Sequence, residues 1–590
     1  MEYLVLTELT LFRLLWRAAL RRPTCVVHTL SLLKGSSTAY LDSIERWLKA
    51  NHRIVEVTEF HSDLRHYKDY GDFLRLTDAF GENLDWLENY GDFENATKRF
   101  GEFDIAYKHV SSAVAYRHFV VNYILQKAIE NGPDIDDRSK TTVSGLDSFD
   151  LSFYRHRFRE NPPGKIIPRL KIDPLLNVLL CLAACLKTFL FALRRTRLSL
   201  PFQKPFHIGT DFVAGNKNHF WEEVARTPED ILLVFRNKHD QQTAEKQLSG
   251  WHTCLYSGGL FSLRDFFPAV GEMVSDYFRL LRQAWAMPTD LFRGLVALPY
   301  HRTAFRALCN RYRFKYFWAR DDYNPEHTMR TRELRRIGAV SMGAFHGIPS
   351  LWSYTFQNTY LDFDVYYIFG WDQYTRYYRR TWPQHMEVRT LGSSGMTRDD
   401  FKRLGEQKGN DIACFISPCF HNQSIFDAVV DIATAFPDRK IYINVKVGRY
   451  LDGAFANGLN HFLDTGPKNI FRHEGIAYDL FFKCQFVLTE GSTLAAEGIQ
   501  FGCYSIAMDL SPKHKVFSYR YFPGLCVTSS KQAIDRIRAL DEGREEYRRD
   551  DFAELIELNG KVPWEVIRED MGILVDQNTH APEITSKPSV

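Results

Sequence analysis

FVLTEGSTLAAEG, residues 486–498, is the stretch of this 590-residue chain that best indicates its fold. Phe486–Leu488 is an apolar run with the length and composition of a buried strand. A glycine turn with two hydroxyl side chains, Gly491–Thr493, follows it, and a helix is predicted to begin at Leu494. Strand, glycine turn and helix in this order are typical of a parallel α/β sheet.

Similar apolar runs surround this stretch, at distances that leave room for a helix between them. In the second half of the chain, strands are predicted at Val365–Phe369, Ile412–Ile416, Ile441–Val445, Phe486–Leu488, Tyr504–Ala507 and Cys526–Thr528. Amphipathic segments such as SIFDAVVDIATAF lie between most of them. The alternation predicts a C-terminal Rossmann-like domain over residues 356–545.

The first half of the chain shows the same alternation, with one long interruption. Strands are predicted at Tyr3–Leu6, Thr24–His28, Arg53–Val57, Ile231–Phe235, Phe314–Trp318 and Val340–Phe345. The interruption is aromatic, charged and helical in period, so we predict an N-terminal Rossmann-like domain over residues 1–355 with a helical insertion at about 60–200. The α/β fold would then be two Rossmann-like domains facing a cleft. Closing helices at 546–576 and a disordered polar tail at 577–590 are predicted to follow.

Length, charge and cysteine content narrow the class of protein. A chain this long suggests two to four domains. The formal net charge of +3 provides no basic field of the kind that nucleic-acid binding needs, so no nucleic-acid partner is expected. The ten cysteines include no CxxC pair and the N-terminus lacks a secretory signal. We therefore expect a cytoplasmic protein in a reducing compartment, without structural zinc.

Residues 174–193 (PLLNVLLCLAACLKTFLFAL) are almost entirely apolar, and three arginines follow within the next four residues. A helix of this length reaches about 30 Å, which just spans a bilayer. Lys187 near its middle makes a span costly. Three interpretations stay open, namely a buried helix, a helix lying on the membrane surface and a true span. The second would give peripheral contact with the inner face of the plasma membrane through residues 174–197.

Candidate catalytic residues follow two predicted strands of the first half. Asp321 and Asp322 come after the strand FKYFWAR, where a carboxylate can act as general base or nucleophile, although Asp-Asp-Tyr-Asn-Pro also suits a helix N-cap. His346 precedes Gly347 at the end of the next strand, where a glycine allows close backbone approach to a ligand. Ligands collect outside the carboxyl ends of parallel strands, so all three are candidates for chemistry in the cleft.

Candidate ligand-binding residues lie in the second half. The Gly491–Thr493 turn offers backbone amides and the hydroxyls of Ser492 and Thr493 to a phosphate, and Glu497 lies one turn further on, where ribose hydroxyls could bind it. Three further cations are plausible charge partners for a nucleotide, namely Lys446, Arg449 and Arg472. The alternative is that the turn only caps a helix and that Glu497 is a helix-surface acid.

The sequence resembles a known family at these motifs. GSTLAAEG after a short apolar strand is similar to the donor-binding run of GT-B glycosyltransferases of bacterial capsule and lipopolysaccharide synthesis. RRIGAVSMGAFHGIPS followed by DVYYIFGWDQY is similar to their interdomain region. Parts of this layout also occur in capsule transferases of 3-deoxy-octulosonate and in teichoic-acid glycerophosphotransferases. The resemblance covers roughly residues 310–530.

The resemblance implies a function. His346 would lie near the reacting centre, and Ser492, Thr493 and Glu497 would hold a nucleotide-sugar donor. The acceptor would be a glycan or a lipid-linked glycan of the cell surface. TEGST differs from the Asp-Tyr-Ser-Ser pattern of the teichoic-acid enzymes, which makes a sugar donor the better expectation than a polyol phosphate.

A metal and a cofactor are not expected. Asp362-Phe363-Asp364 is formally a DxD motif, but it precedes the strand VYYIF, so a turn before a strand is the preferred interpretation. GT-B enzymes generally work without a bound divalent ion, and the donor's leaving charge would be met by hydroxyls and cations. Three alternatives remain, namely a CDP-glycerol-type polyol-phosphate transferase, a sugar-nucleotide epimerase and a non-catalytic polysaccharide-assembly protein.

Overall fold

The computed structural model divides the chain into two compact units. Unit 1 comprises Met1–Leu190 and Val270–Tyr300, and unit 2 comprises Phe191–Ala269 and His301–Val590. The structure describes residues 2–6, 13, 16, 24–28, 56–59, 81, 83–130, 140–157, 159, 164–169, 171–200, 205–211, 223–225, 227–245, 250–319, 324–345, 347–348, 358–395, 397–416, 423–445, 453–490, 492–510, 518–558 and 560–573.

The α-helices of the described residues are numbered in chain order. They are α1 Leu84–Tyr90, α2 Ala96–Phe100, α3 Asp104–Glu130, α4 Ser148–Arg157, α5 Asp173–Arg194, α6 Lys238–Glu245, α7 Leu263–Gln283, α8 Thr289–Val296, α9 Leu298–Arg311, α10 Glu326–Arg336, α11 Trp371–Gln373, α12 Arg398–Lys402, α13 Gln423–Ala435, α14 Gly453–Thr465, α15 Ala477–Lys483, α16 Leu494–Gln500, α17 Ser530–Asp541 and α18 Pro563–Asp570.

The described residues of unit 1 are built on a five-stranded parallel sheet. Its strands are β1 Glu2–Leu6, β2 Thr24–His28, β3 Glu56–Glu59, β4 Thr142–Leu146 and β5 Lys165–Pro168, in the order β3-β2-β1-β4-β5. The long helix α3 connects the two halves of the sheet and packs on β1 and β2. This order, in which the chain returns to the middle before moving outward on the other side, is that of a Rossmann-like sheet.

The prediction that residues 60–200 form a helical insertion is therefore wrong, because this stretch contributes strands to the sheet of unit 1. The described part of this stretch contains β4 and β5, which pair with β1 and with each other. The prediction also placed the strands of residues 1–57 and those after 230 in one domain, 1–355, whereas they lie in different sheets. The sequence pattern identified the strands of the first region but not the sheet to which they belong.

The first sheet of unit 2 has seven parallel strands in the part of the chain that the structure describes. The strands of this region are β6 Thr196–Arg197, β7 Pro205–Asp211, β8 Ile231–Phe235, β9 His252–Leu255, β10 Phe261–Ser262, β11 Arg313–Ala319, β12 Val340–Ala344, β13 Val365–Ile368 and β14 Glu387–Thr390. The order is β14-β13-β12-β11-β7-β8-β9, and β6 and β10 form a separate short pair. The first strand of this sheet in the chain, β7, lies in its middle, and later strands are added outward on either side, as in a Rossmann-like sheet.

The second sheet of unit 2 has six parallel strands among its described residues. They are β15 Gly409–Ile416, β16 Ile441–Val445, β17 Ile470–Arg472, β18 Cys484–Thr489, β19 Tyr504–Met508 and β20 Cys526–Val527, in the order β17-β16-β15-β18-β19-β20. This sheet too has the Rossmann order. The predicted α/β fold with two Rossmann-like domains is confirmed within unit 2.

The predicted boundary between the two halves of unit 2 is displaced. The strand predicted at Val365–Phe369 was assigned to the C-terminal domain, 356–545, but β13 pairs with β12 and β14 in the first sheet. The six-stranded sheet begins only at Gly409.

The predicted closing segment, 546–576, contains a short 3-10 helix, Arg549–Phe552, and α18, both of them helices as predicted. This closing segment packs against the seven-stranded sheet of unit 2. The Tyr367 hydroxyl donates to Asp570 at 2.5 Å, and the amide of Glu557 donates to the carbonyl of Phe369 at 2.7 Å. The tail predicted at 577–590 lies outside the described residues.

Candidate functional site

Strand order locates the part of unit 2 that is suited to bind a ligand. In each sheet the order reverses beside the first strand, between β7 and β11 and between β15 and β18. Loops leaving the carboxyl ends of strands on the two sides of such a point diverge and leave a crevice. A ligand is therefore expected at the carboxyl edges of both sheets.

The two carboxyl edges meet through a side-chain hydrogen bond. The amide of Ile348, four residues after β12, donates to Oγ1 of Thr493, four residues after β18, at 3.0 Å. Gly347 allows this approach, because a Cβ at this position would lie 2.8 Å from the same oxygen. The loop after β12 and the turn after β18 therefore face the same space.

Glu497 forms a second connection between the two edges. Its Oε1 accepts from the hydroxyl of Ser393, which follows β14, at 2.6 Å and from the hydroxyl of Tyr478 at 2.9 Å. The amide of Ser393 donates to Oε1 of Gln500 at 2.8 Å. Glu497 is only 3% exposed, so these hydroxyls compensate the burial of its carboxylate.

The tyrosine beside Glu497 stays a hydrogen-bond donor. Burial, together with the charge of Glu497, raises the pKa of Tyr478 well above its usual range. Burial and the same charge also raise the pKa of Tyr519, whose hydroxyl donates to the carbonyl of Ser492 at 2.6 Å. Two neutral phenols therefore hold the turn and the first helical residues after β18 in place.

The hydroxyls of the turn retain binding capacity. Ser492 Oγ accepts from the amide of Leu494 at 3.3 Å, as expected of a helix-capping turn. Thr493 Oγ1 accepts from Ile348. Each hydroxyl has one donor hydrogen and two acceptor positions, and these bonds use only acceptor positions. The capping role and a donor role toward a ligand are therefore compatible.

A third contact joins the loops beyond β13 and β19. The guanidinium of Arg376 lies 3.8 Å from the ring centre of Tyr521, and Arg376 also pairs with Asp372. A guanidinium over a tyrosine face is attracted by the ring quadrupole. Together with the two contacts above, three carboxyl-edge loops of the seven-stranded sheet touch segments that follow β18 and β19.

The structure brings together only some of the residues predicted for the site. Thr493 and Glu497 lie at the contact between the two sheets, and Ser492 is next to them. Arg472 ends β17 at the edge of the sheet, three strands and roughly 14 Å from β18, and pairs with Glu474 at 3.5 Å. The other predicted residues lie outside the described part of the chain, namely Asp321, Asp322, His346, Lys446, Arg449 and Gly491.

Several residues of this contact were not predicted, among them Ser393, Tyr478 and Gln500. The sequence LGSSG, residues 391–395, contained a signal, because glycine and serine directly after a strand mark a loop built for close approach. Gly392 has a φ of +71° and packs against the amide of Gln500. Tyr478 carried no comparable signal.

The two aspartates of the DxD motif form ion pairs with arginines. Asp362 accepts from Arg335 at 2.9 Å and Asp364 accepts from the same guanidinium at 2.6 Å. Burial alone would raise the pKa of Asp362, but the bond from His385 and the charges of Arg335 and Arg332 lower it. Both aspartates precede β13, so their predicted position before a strand is confirmed.

One described cluster combines ligands of the type that binds metals. His118, Asp147 and Asp150 of unit 1 lie together and are buried. His118 Nδ1 is 2.7 Å from Asp150 Oδ1, and Arg169 lies 3.6 Å from Asp147. A direct histidine–carboxylate bond and a nearby guanidinium already balance the two carboxylates, so we interpret the cluster as a structural network of unit 1.

This network makes the stability of unit 1 depend on pH. Burial alone would lower the pKa of His118, but Asp150 and Asp147 outweigh it and raise the pKa to about 9. A raised histidine pKa stabilises the folded state fully below the ordinary value of 6.5, and this contribution is lost as the pH rises through about 9. We expect hydrogen exchange in α3 and α4, corrected for intrinsic rates, to accelerate over that range. A His118→Gln variant should show a flatter dependence, and equal slopes would contradict the network.

Gly347 offers a test of the contact between the sheets. Gly347→Ala should displace Thr493, break its bond to Ile348 and destabilise unit 2 by about 1 kcal/mol, the typical value of one hydrogen bond. Faster hydrogen exchange in residues 492–500 should accompany the loss. Gly271→Ala is the control, because a Cβ there meets nothing within 4 Å. Unchanged exchange in Gly347→Ala would contradict the contact.

Comparison with known proteins gives only distant similarities. No protein-family model matches the sequence, and no curated protein does. A glycosyltransferase from Rickettsia africae is 10% identical, with a TM-score of 0.35 over 64% of this chain and 100% of its own. The wall teichoic acid polymerase TagF is 10% identical, with a TM-score of 0.38 over 68% and 98%. A UDP-GlcNAc 2-epimerase from Neisseria meningitidis is 9% identical, with a TM-score of 0.36 over 62% and 99%. Similarities of this size assign no family, and the α/β fold rests on the strand orders above.

Proposed function

We propose that this chain is a glycosyltransferase that uses a nucleotide-sugar donor, with the two Rossmann-like sheets of unit 2 as its catalytic halves. The observation that carries the proposal is the contact between Thr493 and Ile348, which turns the carboxyl edges of both sheets toward one space. Two substrates bound at two carboxyl edges can be brought together there. A reaction that joins a donor to an acceptor needs this arrangement.

The donor's diphosphate would bind the Gly491–Thr493 turn. The hydroxyls of Ser492 and Thr493 can donate to phosphate oxygens while keeping their present bonds. Lys446 and Arg449, which follow β16 in the sequence, would add positive charge, whereas Arg472, which ends β17 three strands from β18, lies too far away to contact the diphosphate. Positive charge and hydroxyl donors stabilise the nucleoside diphosphate as it leaves, and this set requires no metal ion.

Glu497 would hold the ribose of the donor. Both of its bonds, from Ser393 and Tyr478, go to Oε1, and neither uses Oε2. A carboxylate fixed by two hydroxyls has one orientation, which favours recognition of a diol. Because Ser393 follows β14, donor binding at Glu497 would also bias the contact between the two sheets.

The acceptor would bind the seven-stranded sheet. Asp321 and Asp322 follow β11 in the sequence, and His346 follows β12, its parallel neighbour. One of these groups would assist attack by an acceptor hydroxyl as a general base. The acceptor we propose is a glycan or lipid-linked glycan of a surface polysaccharide such as capsule or lipopolysaccharide, made in the cytoplasm.

A nucleotide panel tests the donor site. Purified full-length protein is heated with UDP, GDP, CDP, CMP, dTDP or ADP, and unfolding is followed by fluorescence. A ligand at a hundred times its Kd stabilises the folded state by about 2.7 kcal/mol, so one nucleotide should raise the Tm clearly. A shift with CDP or CMP alone would lead next to CDP-alcohol donors. No shift with any nucleotide, in folded protein, would contradict the proposal and favour a non-catalytic assembly protein.

A further inference from the structure

We infer that unit 1 docks on a lipid bilayer that contains anionic lipids, through one face of α5 and the neighbouring part of α7. Within the described part of the chain, α5 is the one helix long and apolar enough to cross a membrane. Its large apolar side chains are not in the core. Leu175, Leu179, Leu182, Leu186, Phe189 and Leu190 are between 36% and 64% exposed. We call this set the apolar face.

The apolar face is a continuous stripe. From Leu175 to Phe189 its residues follow one another at alternating intervals of four and three, which places them on one side of an α-helix, and Leu190 adjoins Phe189. The helix of 22 residues is about 33 Å long. Scattered exposed leucines are ordinary on protein surfaces, but a stripe that runs the length of a helix indicates a binding surface.

The opposite side of α5 is fixed to unit 1. The amide of Asn177 donates to the carbonyls of Ala284 and Met287, both at 2.9 Å. Thr188 exchanges a hydrogen bond of 2.7 Å with the hydroxyl of Tyr277 on α7. These groups are buried and would lose their partners if α5 left unit 1.

These contacts decide between crossing the membrane and lying on it. The part of α7 that holds α5 carries Glu272, Asp276, Arg279 and Arg282, and a segment with four charges does not enter a bilayer core. Because α5 stays packed against α7, it cannot cross without α7. The apolar face therefore lies along the surface, buried about 5–10 Å into the headgroup region.

The neighbouring helix widens the surface. Val274 and Phe278 of α7 and Trp285, two residues beyond its end, are 51%, 55% and 66% exposed. Phe278 and Trp285 are next in sequence to Tyr277 and Ala284, which contact α5. Arg282 lies 4.5 Å from the ring centre of Phe278. Tryptophan and arginine beside an apolar stripe suit the membrane interface, where an apolar body meets polar headgroups.

Charge favours a bilayer over a second copy of the chain. In the unit 1 part of these helices, the exposed residues of α5 include Lys187 but no carboxylate, and the one exposed carboxylate of α7, Glu272, is outnumbered by Lys187 and Arg282. In a two-fold dimer the same surface would face itself, so these cations would repel one another. Anionic headgroups attract them, by about 1 kcal/mol for each cation near the surface.

Vesicle binding tests the inference directly and independently of any transferase activity. Full-length protein is sedimented with phosphatidylcholine vesicles, with and without phosphatidylglycerol. We expect binding to the anionic vesicles that weakens as salt is added. Leu182→Glu/Leu186→Glu should reduce binding at least tenfold, and Lys187→Glu/Arg282→Glu should reduce it mainly on the anionic vesicles.

The control introduces the same two glutamates at exposed apolar positions outside the proposed membrane-binding surface. Phe471→Glu/Ile476→Glu changes two exposed apolar residues of unit 2, 41% and 57% exposed, and should bind vesicles like the wild type. Circular dichroism confirms that each variant is folded. Absence of binding by the wild type, or equal binding by the Leu182→Glu/Leu186→Glu variant, would overturn the inference. A dimer in sedimentation equilibrium that this variant abolishes would overturn it in favour of self-association.

Discussion

The double substitution Ser492→Ala/Thr493→Ala is expected to lower the affinity for the preferred nucleotide by at least about a hundredfold. A hydrogen bond to a charged group contributes about 1.5–3 kcal/mol, and each 1.4 kcal/mol changes a binding constant tenfold. The variant loses two such donors to the diphosphate. The free energy of unfolding should fall by much less than the free energy of nucleotide binding, because the amides of Leu494 and Ile348 lose only one acceptor each. Isothermal titration with the nucleotide found in the panel gives both Kd values.

The matched control removes two threonine hydroxyls from the same half of unit 2. Thr434 and Thr465 donate within their own helices, to Val430 at 2.8 Å and His461 at 2.7 Å, and both bonds are exposed. Thr434→Ala/Thr465→Ala should bind the nucleotide like the wild type. A folded Ser492→Ala/Thr493→Ala variant with an unchanged Kd would place the phosphate elsewhere.

Glu333→Ala is expected to destabilise unit 2 by about 3–5 kcal/mol, the range for breaking a buried ion pair from one side. Glu333 is 1% exposed and lies among three arginines. Arg306 donates to it through two nitrogens, both at 2.8 Å, and Arg302 donates at 3.0 Å. Removing the carboxylate leaves buried guanidinium groups without their counter-charge. Urea unfolding measures the loss.

The same residue predicts acid sensitivity. Burial alone would raise the pKa of Glu333, but the bonds and charges of Arg306 and its neighbours lower it below 4.5. A lowered carboxyl pKa stabilises the folded state above the ordinary value, and this contribution is lost as the pH falls further. The difference between wild type and Glu333→Ala should therefore shrink below about pH 4.5. Glu406→Ala, an exposed acid, is the control and should lose no more than about 1 kcal/mol. If Glu333→Ala lowered the free energy of unfolding by as little as the control, the ion-pair network around Glu333 would be refuted.

Most strands were predictable because their residues carry the signal themselves. Ile231–Phe235 is a run of buried apolar residues, and Ile441–Val445 alternates buried aliphatic residues with half-buried ones; they coincide with β8 and β16. The central strand β7 was missed. Its sequence, PFHIGTD, mixes glycine and polar residues with apolar ones, and it is a strand because β8 and β11 flank it.

Sheet membership was the part that sequence could not supply. β1 and β7 begin similar series of strands, and nothing local states that they start different sheets. β13 follows a segment that resembles a domain boundary, yet it completes the first sheet of unit 2. Such choices depend on contacts between residues far apart in the chain.

The candidate site also combines residues that a local motif indicates with residues that come together only in the fold. Thr493 and Glu497 were predicted as binding residues because a strand, a turn and a helix start stand in one short segment, and that role stays a prediction. Ser393 and Tyr478, the partners of Glu497, are separated from each other by 85 residues, and Ser393 is 104 residues from Glu497. A hydrogen-bonded group assembled from such distances leaves no motif.

Transfer of a radiolabelled sugar tests the central claim most directly. Full-length protein is incubated with nucleotide-sugars of the base found in the panel, labelled in the sugar, and with a membrane and glycan extract. We predict label in the glycan fraction, an equal amount of released nucleotide, and neither with Ser492→Ala/Thr493→Ala. Recovery of the donor with an epimerised sugar, or tight nucleotide binding without any transfer to the extract, would contradict the assignment as a glycosyltransferase.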